Sequence, residues 1–287
     1  MMPQTPSLAN LIVANGDPLV WGQRTYVMGI INVTPDSFSG DGLGDDLKGI
    51  AELAIKHQEE GADFLDIGAQ STRPGSTPIT IEEELARLLP ALETVLSVVN
   101  LPVSVDTYKS PVARLAVEAG ATIINDVWGL MDDPEIATVA SESGAGLIIM
   151  HNQKIPHYQD LVPDLMASLS QSVDLARAAG VPQDSIILDP GIGFGKTADH
   201  NLEILGRLRE FKTLGYPMLV GTSRKSTIGR VLDLPTDQRV EGTAATVALS
   251  IAAGADIVRV HDVRQMARVC RMTDAVVRGW RPAGWTP

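Results

Sequence analysis

The chain has 287 residues, of which 44% are hydrophobic and 20% charged, an ordinary globular composition. Lys and Arg number 23 and Asp and Glu 35, a formal charge of −12 that argues against a binder of nucleic acid or of a membrane surface. One cysteine, Cys270, excludes an internal disulfide; no apolar run approaches the ~20 residues of a membrane span, and the first residues lack a basic signal start. The expectation is a soluble protein of a reducing compartment, the cytoplasm.

Residues 1–25 hold a turn signal, Asn15-Gly16-Asp17-Pro18, between the short apolar runs 11–13 and 19–21. This predicts a β-hairpin that caps the bottom of whatever follows, with a loose leader as the alternative. From residue 26 on, short apolar β-branched runs alternate with segments of helical period. The strands are expected at 26–33, 64–69, 103–107, 122–127, 146–151, 186–191, 218–223 and 257–261. Amphipathic helices are expected at 46–60, 81–99, 111–119, 160–179, 201–214 and 238–253. The strand runs stay apolar almost to their last residues, as a parallel sheet covered on both faces requires.

One phrase recurs at four helix-to-strand junctions: GADFLDIG from Gly61, GATIINDV from Gly120, GAGLIIMH from Gly144 and GADIVRVH from Gly254. The glycine stands where a helix end favours a left-handed residue, and a buried strand follows. Eight such units close more naturally into a single (β/α)8 barrel over residues 26–287 than into two domains.

Polar residues fall at the strand ends: Asn32, Asp106, Asn125, His151, Asp189, Ser223 with Lys225, and Arg259 with His261. In a barrel these ends converge on one mouth, where active sites sit. A single Asp or Asn there reads equally well as a helix cap, but caps do not call for Lys225, Arg259 and His261. The stretch from Asp189 to Thr197 resembles a phosphate loop yet fails both glycine tests: Pro190 stands where a Walker motif needs Gly, and Lys196 where a dinucleotide motif does. Ser71 to Gly75 is either an anion clamp or a plain surface turn. The polar loop after Asn32 is a candidate lid. No zinc pattern and no G-x-S-x-G elbow is present. A hard cation held by Asn32, water and a substrate phosphate is compatible with magnesium. His57, His157 and His200 have no evident companions and are read as surface residues.

Seven segments then occur in order: MGIINVTPDSFSGDG, DIGAQSTRPGS, SVDTYKS, INDVWG, LDPGIGFGKT, VGTSRKS and RVHDV. Together they make the chain resemble the dihydropteroate synthase family from about Met28 to Val263. The resemblance implies a TIM barrel that joins 6-hydroxymethyl-7,8-dihydropterin diphosphate to 4-aminobenzoate, releasing pyrophosphate. By the same resemblance Asp106, Asn125, Met150, Asp189, Phe194, Gly221 and Lys225 bind the pterin. Asn32, Thr72, Arg259 and His261 bind the diphosphate, with Mg2+ at Asn32. Thr72, Arg73, Pro74, Phe194, Lys225 and Ser226 form the aminobenzoate pocket, and Asp36, Phe38, Arg73 and Lys225 serve catalysis. A carboxylate suits the pterin edge because it accepts two neighbouring N–H groups in one bidentate pair. The family also implies a homodimer through the last helices. Arg73, Lys225, Arg259 and magnesium predict a positive mouth on a negative body.

The chain departs from the family pattern in three places. The run 150–158 lacks the usual Met-His-Met and Gly-Pro features, Gln70 replaces a usual Glu, and Ile192 replaces a frequent Phe. Neither single replacement touches a residue assigned to a substrate. The nearest alternative is a pterin-dependent methyltransferase on the same barrel, which has no use for a diphosphate site. A Schiff-base aldolase using Lys225 and a non-catalytic pterin binder are the others.

Overall fold

A computed structural model of the chain describes residues 19–34, 46–71 and 76–286. Eight strands alternate with helices: β1 (Tyr26–Asn32), β2 (Phe64–Gly68), β3 (Val103–Asp106), β4 (Ile123–Asp126), β5 (Gly146–Met150), β6 (Ile186–Asp189), β7 (Leu219–Val220) and β8 (Ile257–Val260). Their order in the sheet is β6-β5-β4-β3-β2-β1-β8-β7, and the pairings are parallel. A bridge between Leu188 and Met218 joins β6 to β7 and closes the barrel. Every expected strand is present. β7 shrinks to two residues because the backbone turns back at once, Lys225 N–H donating to the Thr222 carbonyl at 3.2 Å.

The outer ring consists of α1 (Leu47–Glu60), α2 (Ile81–Val98), α3 (Ser110–Glu118), α4 (Glu135–Ser143), α5 (Leu161–Ala178), α6 (Ala198–Phe211), α7 (Ser226–Leu232), α8 (Val240–Ala252) and α9 (Val263–Val277). Gly61 and Gly144 end α1 and α4 in left-handed conformation (φ 102° and 78°), so the repeated glycine does what its position predicted. No helix among the described residues is long and apolar enough to cross a membrane.

Side chains of alternate strand residues point into the barrel. Tyr26, Met28, Phe64, Ile123, Ile148, Ile187, Leu219 and Ile257 fill its lower interior as one buried cluster. Leu19 joins them from below and Trp21 packs against them. Trp21 meets Tyr26 edge-on at 5.7 Å, and the Tyr26 hydroxyl donates to the Val20 carbonyl at 3.0 Å. Of the expected hairpin, residues 1–18 lie outside the described ones, and 19–21 run into a turn without strand pairing.

One expectation is corrected. His57 is not a surface residue: it is 3% exposed on α1, under β1. Its Nε2 bonds the Ile30 carbonyl at 3.1 Å, and its ring lies where a side chain on Gly29 would stand. Burial lowers its pKa, so the ring stays neutral. His157 is exposed, and half-exposed His200 caps the start of α6, its backbone N–H donating to Thr197 Oγ1 at 3.1 Å.

Candidate active site

Two residues beyond the apolar layer, the same inward positions carry chemistry. Phe64 is followed by Asp66, Ile123 by Asn125, Ile148 by Met150, Ile187 by Asp189, Leu219 by Gly221 and Ile257 by Arg259. A period of two therefore turns one strand from plug to site within a single step.

Arg259 is the hub. Its Nε donates to Asp66 Oδ2 at 2.6 Å and its Nη2 to Asp106 Oδ2 at 3.0 Å. Asn125 Nδ2 donates to the same Asp66 oxygen at 3.2 Å. Asp66 is fully buried, and Asp66 Oδ1 and Asp106 Oδ1 have no hydrogen-bond partner among the described residues. Burial pushes the Asp106 carboxyl up to about 7; Arg259 opposes the shift and Asp66 adds to it. Burial also works against the charge on Arg259, but its two carboxylates more than offset that and raise its pKa overall.

Across the mouth, Asp189 Oδ1 accepts from the Gly191 N–H at 2.7 Å. Burial raises the Asp189 pKa while Lys225 works to lower it. Lys225 donates to the Ile192 carbonyl and lies 4.6 Å from the Phe194 ring centre. Burial draws its pKa down to about 8, against the pull of Asp189. Gly221 stands between the two cations: a side chain there would come within 3.8 Å of Arg259 Cβ and 4.0 Å of Lys225 Nζ. The lysine is aimed by its neighbour. Arg224 takes a left-handed backbone (φ 54°), unusual without glycine. That turn is clamped by a bidentate pair to Asp262 at 3.0 and 2.6 Å and by Arg239 Nη1 on its carbonyl at 2.9 Å.

The loop after β6 is fastened to the end of β5. Lys196 Nζ reaches His151 Nδ1 at 2.9 Å, the Phe194 carbonyl at 2.9 Å and the His151 carbonyl at 3.3 Å. When Lys196 is an ammonium it only donates, and Nδ1 then accepts. Burial and then Lys196 lower the His151 pKa to about 3, and burial brings Lys196 to about 7. Gly191 (φ 71°) closes the seam, since a side chain there would overlap the His151 carbonyl at 2.0 Å.

With the strand-end groups on one face, the chain can be set beside known proteins. A family model described as pterin binding enzyme matches residues 28–261. The dihydropteroate synthase of Bacillus subtilis is 48% identical over 96% of this chain and 97% of its own. The chain belongs to the dihydropteroate synthase family. A crystal structure of the Clostridium difficile dihydropteroate synthase with pteroic acid superposes with a TM-score of 0.87 at 46% identity, covering 91% of this chain and 99% of that one. The Xanthomonas albilineans dihydropteroate synthase with 4-aminobenzoic acid gives 0.86 at 37% identity, over 98% and 100%. The activity is accordingly that of a dihydropteroate synthase, a transferase that acts on small-molecule substrates.

Of the dihydropteroate synthase residues expected from sequence, Asp106, Asn125, Met150, Asp189, Gly221 and Arg259 share the inward parity of the site. Asn32 ends β1, half-buried, opposite Gly68 of β2. Phe194 and Lys225 stack as described, and Ser226 is exposed at the start of α7. His261 Nδ1 lies 2.9 Å from Ser223 Oγ, and His261 lines a cleft of about 440 Å³ between α1 and α9 together with Arg224 and Lys56. Asp36, Phe38, Thr72, Arg73 and Pro74 lie outside the described residues.

Asp66, Arg224 and Lys196 were missed. The parity of Asp66 with Phe64 and Gly68 is the signal that would have found it. Among the described residues Arg259, Lys225 and Lys196 face Asp66, Asp106 and Asp189, a balanced set.

Proposed function

We propose that this enzyme condenses 6-hydroxymethyl-7,8-dihydropterin diphosphate with 4-aminobenzoate in the cavity ringed by Asp106, Asn125, Asp189, Lys225 and Arg259. The observation that carries the reading is the convergence of these five side chains, from five strands or strand ends, on one mouth. Asp189 accepts the paired N–H groups of the pterin edge, a bidentate geometry that orients the ring. Asn125 and Asp106 meet the remaining polar positions, Lys225 donates to the pterin carbonyl, and Met150 packs against the ring. Gly221 leaves room for it.

Arg259, His261, Asn32 and Thr72 hold the diphosphate. The methylene C–O bond breaks, the diphosphate leaves with its electron pair, and the amine of aminobenzoate forms the new C–N bond and loses a proton. Arylamines are weak nucleophiles, so the site works by stabilising the leaving group and aligning the reactants. Thr72, Arg73, Pro74, Phe194, Lys225 and Ser226 seat the aminobenzoate, and Asp36, Phe38 and Arg73 complete the catalytic set. Among the described residues no three His, Cys, Asp or Glu side chains form a metal cage. Mg2+ fits here through the Asn32 amide oxygen, with water and diphosphate supplying its other ligands. When bound it draws charge from the leaving group.

The barrel from residue 26 onward is one catalytic unit, and a cytoplasmic location suits its free, buried Cys270 thiol. The enzyme pairs into a homodimer through its last helices. Val231 on α7, Leu249 on α8 and Met272 and Val276 on α9 are 61–71% exposed, an apolar face that a second copy covers. Leu249→Glu should shift sedimentation to the monomer.

The direct test mixes the protein with dihydropterin diphosphate, 4-aminobenzoate and magnesium. Dihydropteroate and pyrophosphate should appear in equal amounts. Their absence from folded protein would end this reading.

A further inference from the structure

We propose that Asn201, on the first turn of α6, is a positioning residue for Lys225: its buried amide ties the loop after β6 to the start of α7 and so fixes where the ammonium stands in the mouth. The inference rests on the reading above that Lys225 and Phe194 meet the substrates.

Three consecutive residues of the loop hold the lysine. The Ile192 carbonyl accepts from its Nζ, Gly193 lies along its stem, and the Phe194 ring centre is 4.6 Å from Nζ. Gly193 is left-handed (φ 85°), and a side chain there would come within 2.9 Å of Lys225 Cδ. The ammonium is therefore placed only as well as the loop is.

Asn201 fixes the loop from behind. Its Oδ1 accepts from the Gly193 N–H at 2.8 Å, and its Nδ2 donates to Thr227 Oγ1 at 3.0 Å. The backbone donor decides the orientation of the amide: an N–H must face the oxygen, so the NH2 faces the threonine. Asn201 is 2% exposed and Thr227 4%, so water does not compete for either bond. The base of Asn201 is itself anchored. Its N–H donates to the Thr197 carbonyl at 3.1 Å, and Thr197 and His200 cap that turn reciprocally.

These contacts close a ring. It runs from Lys225 through Ile192 and Gly193 to Asn201, on to Thr227, and back along the start of α7 to Lys225. The other side of the loop is fastened separately, by Lys196 on the Phe194 and His151 carbonyls and by the Tyr158 hydroxyl, which donates to the Gly195 carbonyl at 2.7 Å. Cutting the Asn201 bonds therefore leaves the loop attached to β5 and releases it from α7, which widens the gap that holds the ammonium. Lys225 and Phe194 are assigned to the pterin and to aminobenzoate alike, so both substrates should register the change.

The test measures binding of dihydropterin diphosphate to the full-length enzyme by calorimetry, which needs no turnover. Asn201→Leu removes both bonds at similar volume. As a folded protein it should raise Kd about tenfold, and KM for 4-aminobenzoate by a similar factor. Thr227→Val cuts one bond and should raise each about threefold, whereas Thr227→Ser keeps the hydroxyl and should stay within about twofold of wild type. The deciding measurement repeats Asn201→Leu in a Lys225→Ala background. With no lysine left to place, the tenfold effect on Kd should shrink to about twofold, the part carried by Phe194. A residue that only stabilises the fold would lower Tm and leave Kd unchanged, and a general loosening would multiply Kd equally in both backgrounds; either result overturns the role of Asn201. If Asn201→Leu does not fold, Thr227→Val carries the same comparison. The functional reading fails differently, through a wild-type enzyme that forms no dihydropteroate.

Discussion

The two ends of the barrel interior are built from the same strands and differ by one step of the strand repeat. The lower end, around Tyr26, Phe64, Ile148 and Ile257, is apolar and sealed from below by Leu19 and Trp21. The upper end, two residues further on, holds Asp66, Asp106, Asn125, Asp189 and Arg259, all but the arginine nearly inaccessible. Burial that stabilises the first layer costs the second, since ions lose solvation and keep it only through partners. The lower layer is thus where stability is made, and the upper layer is where it is given up for chemistry.

That contrast can be broken most directly at the upper end. Lys225→Ala and Asp189→Ala should each lower kcat/KM by about 10²–10⁴-fold, since each leaves a buried opposite charge without its partner at about 3–5 kcal/mol. Wild-type steady-state rates in either would remove that residue from the mechanism.

Phe64→Ala should do the reverse. We expect a loss of about 3–5 kcal/mol in denaturant unfolding, with kcat of the folded fraction intact. A fall in kcat matching the Lys225 variant would mean that the two layers are not separable.

Asp66 tests the boundary between them. Asp66→Asn should cost about tenfold in kcat/KM through loosened Arg259 and Asn125. Combined with Arg259→Met it should add little, because the two act as one unit. Full additivity in that double-mutant cycle would dissolve the unit.

The smallest effect sharpens the energetic side. The Asp106 carboxyl lies near 7 when folded, against an ordinary 3.8. The folded protein therefore holds this proton more tightly. The stability it contributes is complete below about pH 4 and is lost as pH rises through about 7. Asp106→Asn should come nearest to wild type in Tm at about pH 4 and exceed it by a few degrees at pH 8, while turnover falls. An equal difference in Tm at both pH values would show that Asp106 is not destabilised by its charge.

Much of this was legible in the residues. Strand positions followed from apolar runs bounded by Gly and Pro, and the site followed from polar residues ending those runs. Asp66 escapes a reading of strand ends because it lies mid-strand, in FLDIG, and only the inward parity it shares with Phe64 marks it. His57 was misplaced because a helix residue packed under a glycine looks in sequence like any other polar position. The strain at Arg224 has no sequence signature, since it depends on Asp262, Thr243 and Arg239 meeting it from β8 and α8. The helix α7, at seven residues, is too short for its period to show.

The seam at Gly191 bounds what this corner can become. On one side residues 154–157 face solvent and can drift in sequence without touching the pocket floor. On the other, the position occupied by the His151 carbonyl admits no side chain at 191, so a graft that imports a new rim after β5 must bring the matching turn after β6 with it. The two segments therefore have to change together although 39 residues of chain separate His151 from Gly191.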